Sequence, residues 1–367
     1  MLIKFEVENF KNFKNKIVLD LSNTKGYEFK KDLIKNNAVR GGIIFGKNAS
    51  GKSNLGYAIF DIVNHLTDKE KTTIDVFPYK NLNSDSKYVA FVYLFKFDGV
   101  EVEYKYSKID PEQLNNEILK INGKTVIEYD YSINHGICKL SGTENLNKVL
   151  DNNKLSFVKY INNNSVLEKD FTNDVFKQFI DFVDKMLLFY SLDYNRYFGY
   201  KNGSESIADA IVKKGKLNDF ENFLNEREIN CRLISREING QNKIYVKYKH
   251  GEADFYSVAS TGTKSLALFY YWLINGEDAS FIFMDEFDAY YHFELSREIV
   301  EEIINRTNAQ VLFTSHNTNL MNNDLFRPDC LFILQNKGIK AMCDLTDKEL
   351  RKAHNLQKMY KAGAFDE

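Results

Sequence analysis

The stretch Gly46-Lys47-Asn48-Ala49-Ser50-Gly51-Lys52-Ser53 sets two glycines, a lysine and a hydroxyl at the spacing Gly-x-x-x-x-Gly-Lys-Ser, the pattern of a phosphate-cradling P-loop. Glycines let the backbone turn tightly, so that successive N–H groups aim at phosphate oxygens, and a helix N-terminus behind them adds its field. In this chemistry residues 46–53, with Asn54 behind them, surround a nucleotide. Lys52 reaches the β- and γ-phosphates and the Ser53 hydroxyl binds Mg²⁺. A cradle alone hydrolyses nothing. It needs a second carboxylate for the metal and a group that positions water. Asp285-Glu286 closes the apolar run Phe281-Ile282-Phe283-Met284, as a Walker B motif does. Asp285 is expected to hold Mg²⁺, directly or through water, and Glu286 to polarise the attacking water as general base.

These residues need elements that hold them. Ile43-Ile44-Phe45 reads as a buried strand, and Leu55, Ile59, Ile62, Val63 and Leu66 follow at helical spacing, so the loop has the strand–loop–helix context it requires. Upstream, Ile3, Phe5 and Val7 alternate with Lys4, Glu6 and Glu8 as a half-buried strand; Asn9 to Phe13 turns, and Ile17 to Leu21 forms a second strand. A loop is expected from Thr72 through Ser84. Asp98-Gly99 and Asn122-Gly123 then mark two hairpins, Phe91–Phe97 with Val100–Tyr106 and Ile118–Ile121 with Thr125–Tyr129, giving an antiparallel lobe beside the P-loop unit.

Residues 145–235 change character. Val175, Phe176, Phe179, Ile180, Val183 and Leu187 fit one helix face, Tyr197 to Ser206 is a polar break, and Ile207 to Glu228 is again helical. No heptad is sustained, which excludes long coiled-coil arms. Strand character returns at Ile244 to Tyr248, and a helix is expected from near Gly262 to Ile274. Phe281–Met284, Val311–Phe313 and Leu331–Leu334 are buried strands separated by helices, an α/β layer with parallel strands. The expected organisation is residues 1–145 as the N-terminal part of a nucleotide-binding head with its β lobe, 146–235 as a helical insertion, and 236–367 as the C-terminal part of the head.

The bulk composition narrows the class. A net charge of -2 provides no global attraction to nucleic acid. Three prolines against 22 tyrosines and 29 phenylalanines point to an ordered chain. The four cysteines, Cys138, Cys231, Cys330 and Cys343, are scattered without metal-ligand spacing, as buried thiols in a reducing compartment would be. No apolar stretch reaches membrane-spanning length and no signal-peptide core follows Met1, so a cytoplasmic protein without membrane contact is expected.

Spacing separates the P-loop classes. Lys52 and Asp285 lie 233 residues apart, farther than in ring-forming AAA+ machines. Just upstream of Asp285, Ala259-Ser260-Thr261-Gly262-Thr263-Lys264-Ser265 opens a helix. It resembles the signature motif of ABC-type ATPases, Leu-Ser-Gly-Gly-Glu-Lys-Ser in structural-maintenance-of-chromosomes (SMC) proteins: Ser260, Gly262, Lys264 and Ser265 match, whereas Thr261 and Thr263 depart. A hydroxyl, a glycine N–H and a helix N-terminus suit an anion. In the resembling families this turn meets the γ-phosphate on the opposite subunit of a head-to-tail dimer. His316 ends the next strand, at the position of their switch histidine. The resemblance thus implies ATP and Mg²⁺, an ATPase, and a homodimer in which Ser260, Gly262 and Thr263 close the partner's site. Their Q-loop glutamine has no counterpart: Gln113 alone lies between the P-loop helix and residue 145, and Asn81 or Asn83 is the available substitute.

Within that group the chain is most similar to the AAA15-type ATPases of bacteria and archaea, relatives of the overcoming-lysogeny-defect proteins. The likeness is carried by Leu2 to Phe13, by Met284-Asp285-Glu286-Phe287-Asp288-Ala289-Tyr290-Tyr291-His292, which follows their Asp-Glu-Ile-Asp-x-x-x-His pattern, and by Asn355 to Phe365. Asp288 and His292 take the D-loop positions, with Tyr290 and Tyr291 where smaller residues are common. Only 51 residues follow His316, too few for the Toprim nuclease domain of the overcoming-lysogeny-defect proteins. The resemblance therefore implies an antiphage-defence ATPase acting with a separately encoded effector, a Toprim-like nuclease or a toxin. Two other readings remain open: a RecF-like repair ATPase, with Lys243, Lys247 and Lys249 around Tyr245 and Tyr248 as a DNA path or simply a solvated strand face, and a non-hydrolysing nucleotide sensor, against which Asp285-Glu286 argues.

Overall fold

The computed structural model describes residues 1–69, 78–150, 152–190, 196–199, 206–335 and 338–366. The central sheet has the strand order Arg196–Gly199, Met186–Tyr190, Phe281–Asp285, Gln310–Ser315, Gly41–Gly46, Leu331–Gln335, Gly338–Ala341. Its five inner strands run parallel and its two outer strands pair antiparallel to them. Strands covered on both faces read as unbroken apolar runs, which is why Ile43-Ile44-Phe45 and Phe281-Ile282-Phe283-Met284 show no alternation.

Side chains nonetheless point alternately to the two faces. Phe281 and Phe283 face the P-loop helix, Lys52–Leu66: Phe281 lies 6.0 Å from Phe60, and a Cβ on Gly56 would come within 2.7 Å of Phe283. Ile282 and Met284 face the helices Thr261–Asn275 and Phe293–Arg306 on the other side.

The second sheet is antiparallel throughout, in the order His135–Cys138, Lys124–Asp130, Leu114–Ile121, Val100–Lys108, Val89–Phe97, Leu2–Glu8, Ile17–Asp20. Both hairpin turns fall where expected, with positive φ at Asp98, Gly99, Asn122 and Gly123. The first two strands of the chain are part of this sheet, so the lobe is larger than its hairpins. Gln310, at 1 % exposure, stitches the two sheets together: it accepts from Leu2 N–H and donates to the carbonyls of Leu2 and Val39.

The P-loop helix lies between the two sheets, so 11 of its 15 residues are buried instead of a single stripe. Its polar residues there enter a closed network. Asp61 accepts from the hydroxyls of Tyr79 and Tyr106 and pairs with the Lys108 ammonium at 2.6 Å. His65 meets the Tyr104 hydroxyl, which donates to Glu117; Tyr131, Ser156 and Phe157 N–H also donate to Glu117. Burial drives the His65 pKa well below its usual value and those of Tyr79, Tyr93, Tyr104 and Tyr106 well above theirs, so imidazole and phenols stay neutral partners of the charged groups.

The stretch 146–235 departs from the expected helical insertion. Helices Phe157–Asn164 and Phe171–Asp184 are followed by Met186–Tyr190, which pairs in parallel with Phe281–Asp285 as an inner strand. Leu187 belongs to that strand and not to the preceding helix face. Further on, Ile207–Lys213 and Leu217–Asn225 are two helices, packed beside a three-stranded antiparallel sheet, Leu233–Ile238, Gln241–Tyr248 and Gly251–Asp254. Part of the loop expected after Thr72 and residues 200–205 of the expected polar break lie outside the described residues. Among the described residues no helix is long and apolar enough to cross a membrane.

Candidate active site

Three of the inner strands end at one place. Gly41–Gly46 delivers the P-loop, Phe281–Asp285 delivers Asp285 and Glu286, and Gln310–Ser315 delivers Thr314, Ser315 and His316. This is the carboxyl edge of a parallel sheet, where open α/β folds bind ligands.

The P-loop folds as its glycines require. Gly51 has φ 103 and Ala49 has φ 61, and Ser50 N–H closes a turn onto Lys47 C=O at 3.1 Å. Left-handed residues next to right-handed ones make the nest in which N–H groups converge on an anion. Lys47, Asn48 and Ala49 are exposed, whereas Lys52 is 4 % exposed. Gly46 has no room for a side chain: a Cβ would fall 2.5 Å from Ser50 Oγ. Ser50 Oγ is itself buried without a hydrogen-bond partner.

The Lys52 ammonium lies 2.7 Å from His316 Nε2 and 3.3 Å from Gly46 C=O. His316 Nε2 lies 3.0 Å from Glu286 Oε1. A single imidazole nitrogen cannot accept from the lysine and donate to the carboxylate at once, so these two contacts are alternatives. Burial lowers the Lys52 pKa, against the pull of Glu286, Asp285 and Asp288. Burial likewise raises Asp285, which the Ser53 and Thr314 hydroxyls oppose. Thr314 Oγ1 donates to Asp285 Oδ1 at 2.8 Å and accepts from Glu286 N–H at 2.7 Å. Glu286 needs that support because its φ is 46, sparsely populated for a residue with a side chain. Asp288, whose carboxyl burial also pushes up, accepts from Ser315 Oγ at 2.7 Å.

Ser53 Oγ and the Asp285 carboxylate are therefore adjacent hard oxygen donors at a helix N-terminus. Among the described residues no cluster of three acidic, histidine or cysteine side chains could hold a metal alone. The donor set fits Mg²⁺, which is held by one or two protein oxygens with phosphates and water completing its shell.

Two features of this cluster were not apparent from the sequence. Thr314 ties the ends of two strands together, and its only sequence signal is a run of small hydroxyl residues ahead of His316. Asn12, from the turn after the first strand, donates to Ser50 C=O on the P-loop and accepts from Asn54 Nδ2. Asn54 thus points its carboxamide to Asn12.

The other expected residues are placed as follows. Ser260 is the exposed N-cap of the helix Thr261–Asn275, its Oγ accepting from Thr263 N–H at 3.1 Å. Gly262 sits against Tyr290 C=O, 3.1 Å from where a Cβ would be, and Tyr291 donates its hydroxyl to Ser265 Oγ at 2.6 Å. Tyr291 therefore latches the loop after Glu286 onto the helix Thr261–Asn275. Among the described residues no hydrogen bond joins this signature turn to the P-loop of the same chain. His292 caps the helix Phe293–Arg306 and is exposed, apart from the cluster. Gln113 lies in the antiparallel sheet's turn, where Asn153 donates to it. Asn81 is no open metal ligand, since its carboxamide donates to Lys11 C=O and accepts from Asn83 N–H. Lys243 and Lys247 are exposed beside the buried Ile244 and Val246, and Lys247 stands opposite Glu252, as on a solvated strand face.

The P-loop, the strand-end carboxylates and the parallel sheet define a P-loop NTPase whose mixed α/β architecture matches the heads of SMC proteins. The fold matches a crystal structure of an SMC head bound to the C-winged helix domain of ScpA with a TM-score of 0.50 at 15% identity, over 93% of this chain and 97% of that one. The SMC head domain from Thermotoga maritima aligns at 16% identity over 92% of this chain and 97% of that one, with a TM-score of 0.43. In sequence, residues 43–322 match the family described as "AAA domain, putative AbiEii toxin, Type IV TA system", and the chain belongs to that family. No curated protein matches it.

Proposed function

We propose that this chain is an ATPase that hydrolyses Mg²⁺-ATP at composite sites of a head-to-tail homodimer, as the regulatory ATPase of an antiphage-defence system with a separately encoded effector. The observation that carries it is the convergence of Lys52, Glu286 and His316 within 3.0 Å steps beside the Ser53–Asp285 pair. Lys52 and the P-loop N–H groups bind the phosphates, and Ser53 with Asp285 would hold the metal, which would supply charge neutralisation to the phosphates. Glu286 takes the proton of the attacking water. His316, released from Lys52 by the substrate, contacts the γ-phosphate. The exposed Ser260–Thr263 turn offers its hydroxyl and N–H groups to the partner's nucleotide. The toxin–antitoxin wording of the family description supports the defence role.

Complementation tests the dimer. Lys52→Ala and Ser260→Arg are each expected to be inactive in steady-state ATP turnover. Mixed, they regain activity, because one site of each mixed dimer has an intact P-loop and an intact signature turn; random pairing of a symmetric dimer gives about a quarter of the wild-type rate. Mixtures as inactive as either variant alone would sink the head-to-tail arrangement. The defence role predicts that cells expressing the chain with its neighbouring genes resist phage plating, and that Lys52→Ala removes this resistance; equal plaque counts with and without the substitution would refute it.

A further inference from the structure

The turn that carries Asn12 is built more firmly than a surface turn requires. Phe10 and Phe13 exchange both backbone hydrogen bonds, and Lys11 N–H donates to Tyr79 C=O. Asn81 Nδ2 donates to Lys11 C=O at 2.7 Å, and Asn9 donates to the carbonyls of Ser86 and Tyr88. What the turn presents is one carboxamide against the outer flank of the P-loop. Asn12 Nδ2 donates to Ser50 C=O at 3.1 Å, and Oδ1 accepts from Asn54 Nδ2 at 2.7 Å. A Cβ on Gly51 would lie 2.4 Å from Asn12 Nδ2 and 2.9 Å from Phe13 Cε1. Asn12 therefore spans the left-handed hinge at Gly51, from the residue before it to the first turn of the helix after it.

The geometry of the peptide gives this contact a consequence. In a trans peptide the C=O and the following N–H point in opposite directions. Holding Ser50 C=O outward on Asn12 turns Gly51 N–H inward, to the side where a P-loop receives phosphate. We propose that Asn12 is a positioning residue of the nucleotide site: it fixes the Ser50–Gly51 peptide plane from outside, and the N-terminal turn braced by Asn81 is thereby part of phosphate recognition. This rests on the nucleotide-binding function proposed above. Asn12 touches no reacting atom; it acts through Ser50, Gly51 and Asn54.

Calorimetric titration of Mg²⁺-ATP into the full chain tests it, with Lys52→Ala as the non-binding control. Losing one hydrogen bond that orients the loop is expected to weaken ATP binding by Asn12→Ala about three- to tenfold. Saturating turnover should stay within about twofold, because Asp285, Glu286 and His316 are untouched, and the nucleotide-free melting temperature should hold, since Asn12 is exposed. Asn12→Asp keeps the acceptor for Asn54 but turns a second oxygen on Ser50 C=O, so it should bind at least as weakly as Asn12→Ala. Asn12→Ala/Asn54→Ala should bind no more weakly than Asn12→Ala alone, since Asn54 acts through Asn12. Asn12→Ala binding like wild type overturns the inference, as does an affinity loss that merely tracks a lowered melting temperature. A wild-type chain that binds no ATP overturns the nucleotide function and this inference together; wild-type binding that Lys52→Ala abolishes and Asn12→Ala leaves intact overturns this inference alone.

Discussion

Glu286→Gln is expected to lower ATP turnover by about 10²–10⁴-fold, the range for removing a general base, while leaving nucleotide binding in place. The substitution preserves side-chain volume and an oxygen for the His316 contact at 3.0 Å, and it leaves the Glu286 N–H bond to Thr314 and the left-handed backbone as they are. What it removes is the ability to take a proton from water. With two nucleotides bound and not hydrolysed, the dimer should accumulate, so sedimentation velocity with ATP and Mg²⁺ should show a dimer that wild type shows only transiently. Wild-type turnover by this variant would show that Glu286 is not the base.

Lys108→Met should have the largest effect on stability, at a position remote from the phosphates. Lys108 is fully buried, with its ammonium 2.6 Å from Asp61. Removing one partner of a buried pair leaves an uncompensated charge and typically costs about 3–5 kcal/mol. Here Asp61 would keep the hydroxyls of Tyr79 and Tyr106 but no charged partner among the described residues. The urea midpoint should fall accordingly, and Lys108→Met/Asp61→Asn should recover most of the loss, because neither half of the pair is then left charged without the other. A loss below about 1 kcal/mol, the scale of an exposed ion pair, would mean that water reaches the pair. Since Asp61 lies on the P-loop helix, nucleotide binding should weaken along with the fold.

Much of this could be read from the sequence because it is local. The P-loop pattern, the two Gly-containing hairpin turns and the apolar strands ending in Asp285 and His316 all declare themselves within ten residues. Met186–Tyr190 does not. Five consecutive buried residues carry no periodicity, and coming directly after an amphipathic helix they extend its pattern through Leu187. Only pairing with Phe281–Asp285 makes them a strand, and that partner is almost a hundred residues away. The P-loop helix gave a similar signal: its buried Asp61 and His65 look like an exposed polar face until the second sheet covers them. At the site, side-chain chemistry pointed to the groups now proposed to act on a substrate but not to those that hold them in place. Thr314, Asn12 and Asn81 are ordinary polar residues whose roles come from carbonyls and N–H groups brought to them by folding.

The position of Gly41–Gly46 in the central sheet has a temporal consequence. Its two neighbours are Gln310–Ser315 and Leu331–Gln335. During synthesis the phosphate loop emerges long before either of the two strands that flank it. Pairings this distant in sequence are slow to form and leave apolar edges open meanwhile. The antiparallel sheet can form with the strands available by residue 138, and the buried Leu2–Gln310 stitch closes only later. A nascent chain would thus carry a recognisable nucleotide motif long before it could close the sheet around it.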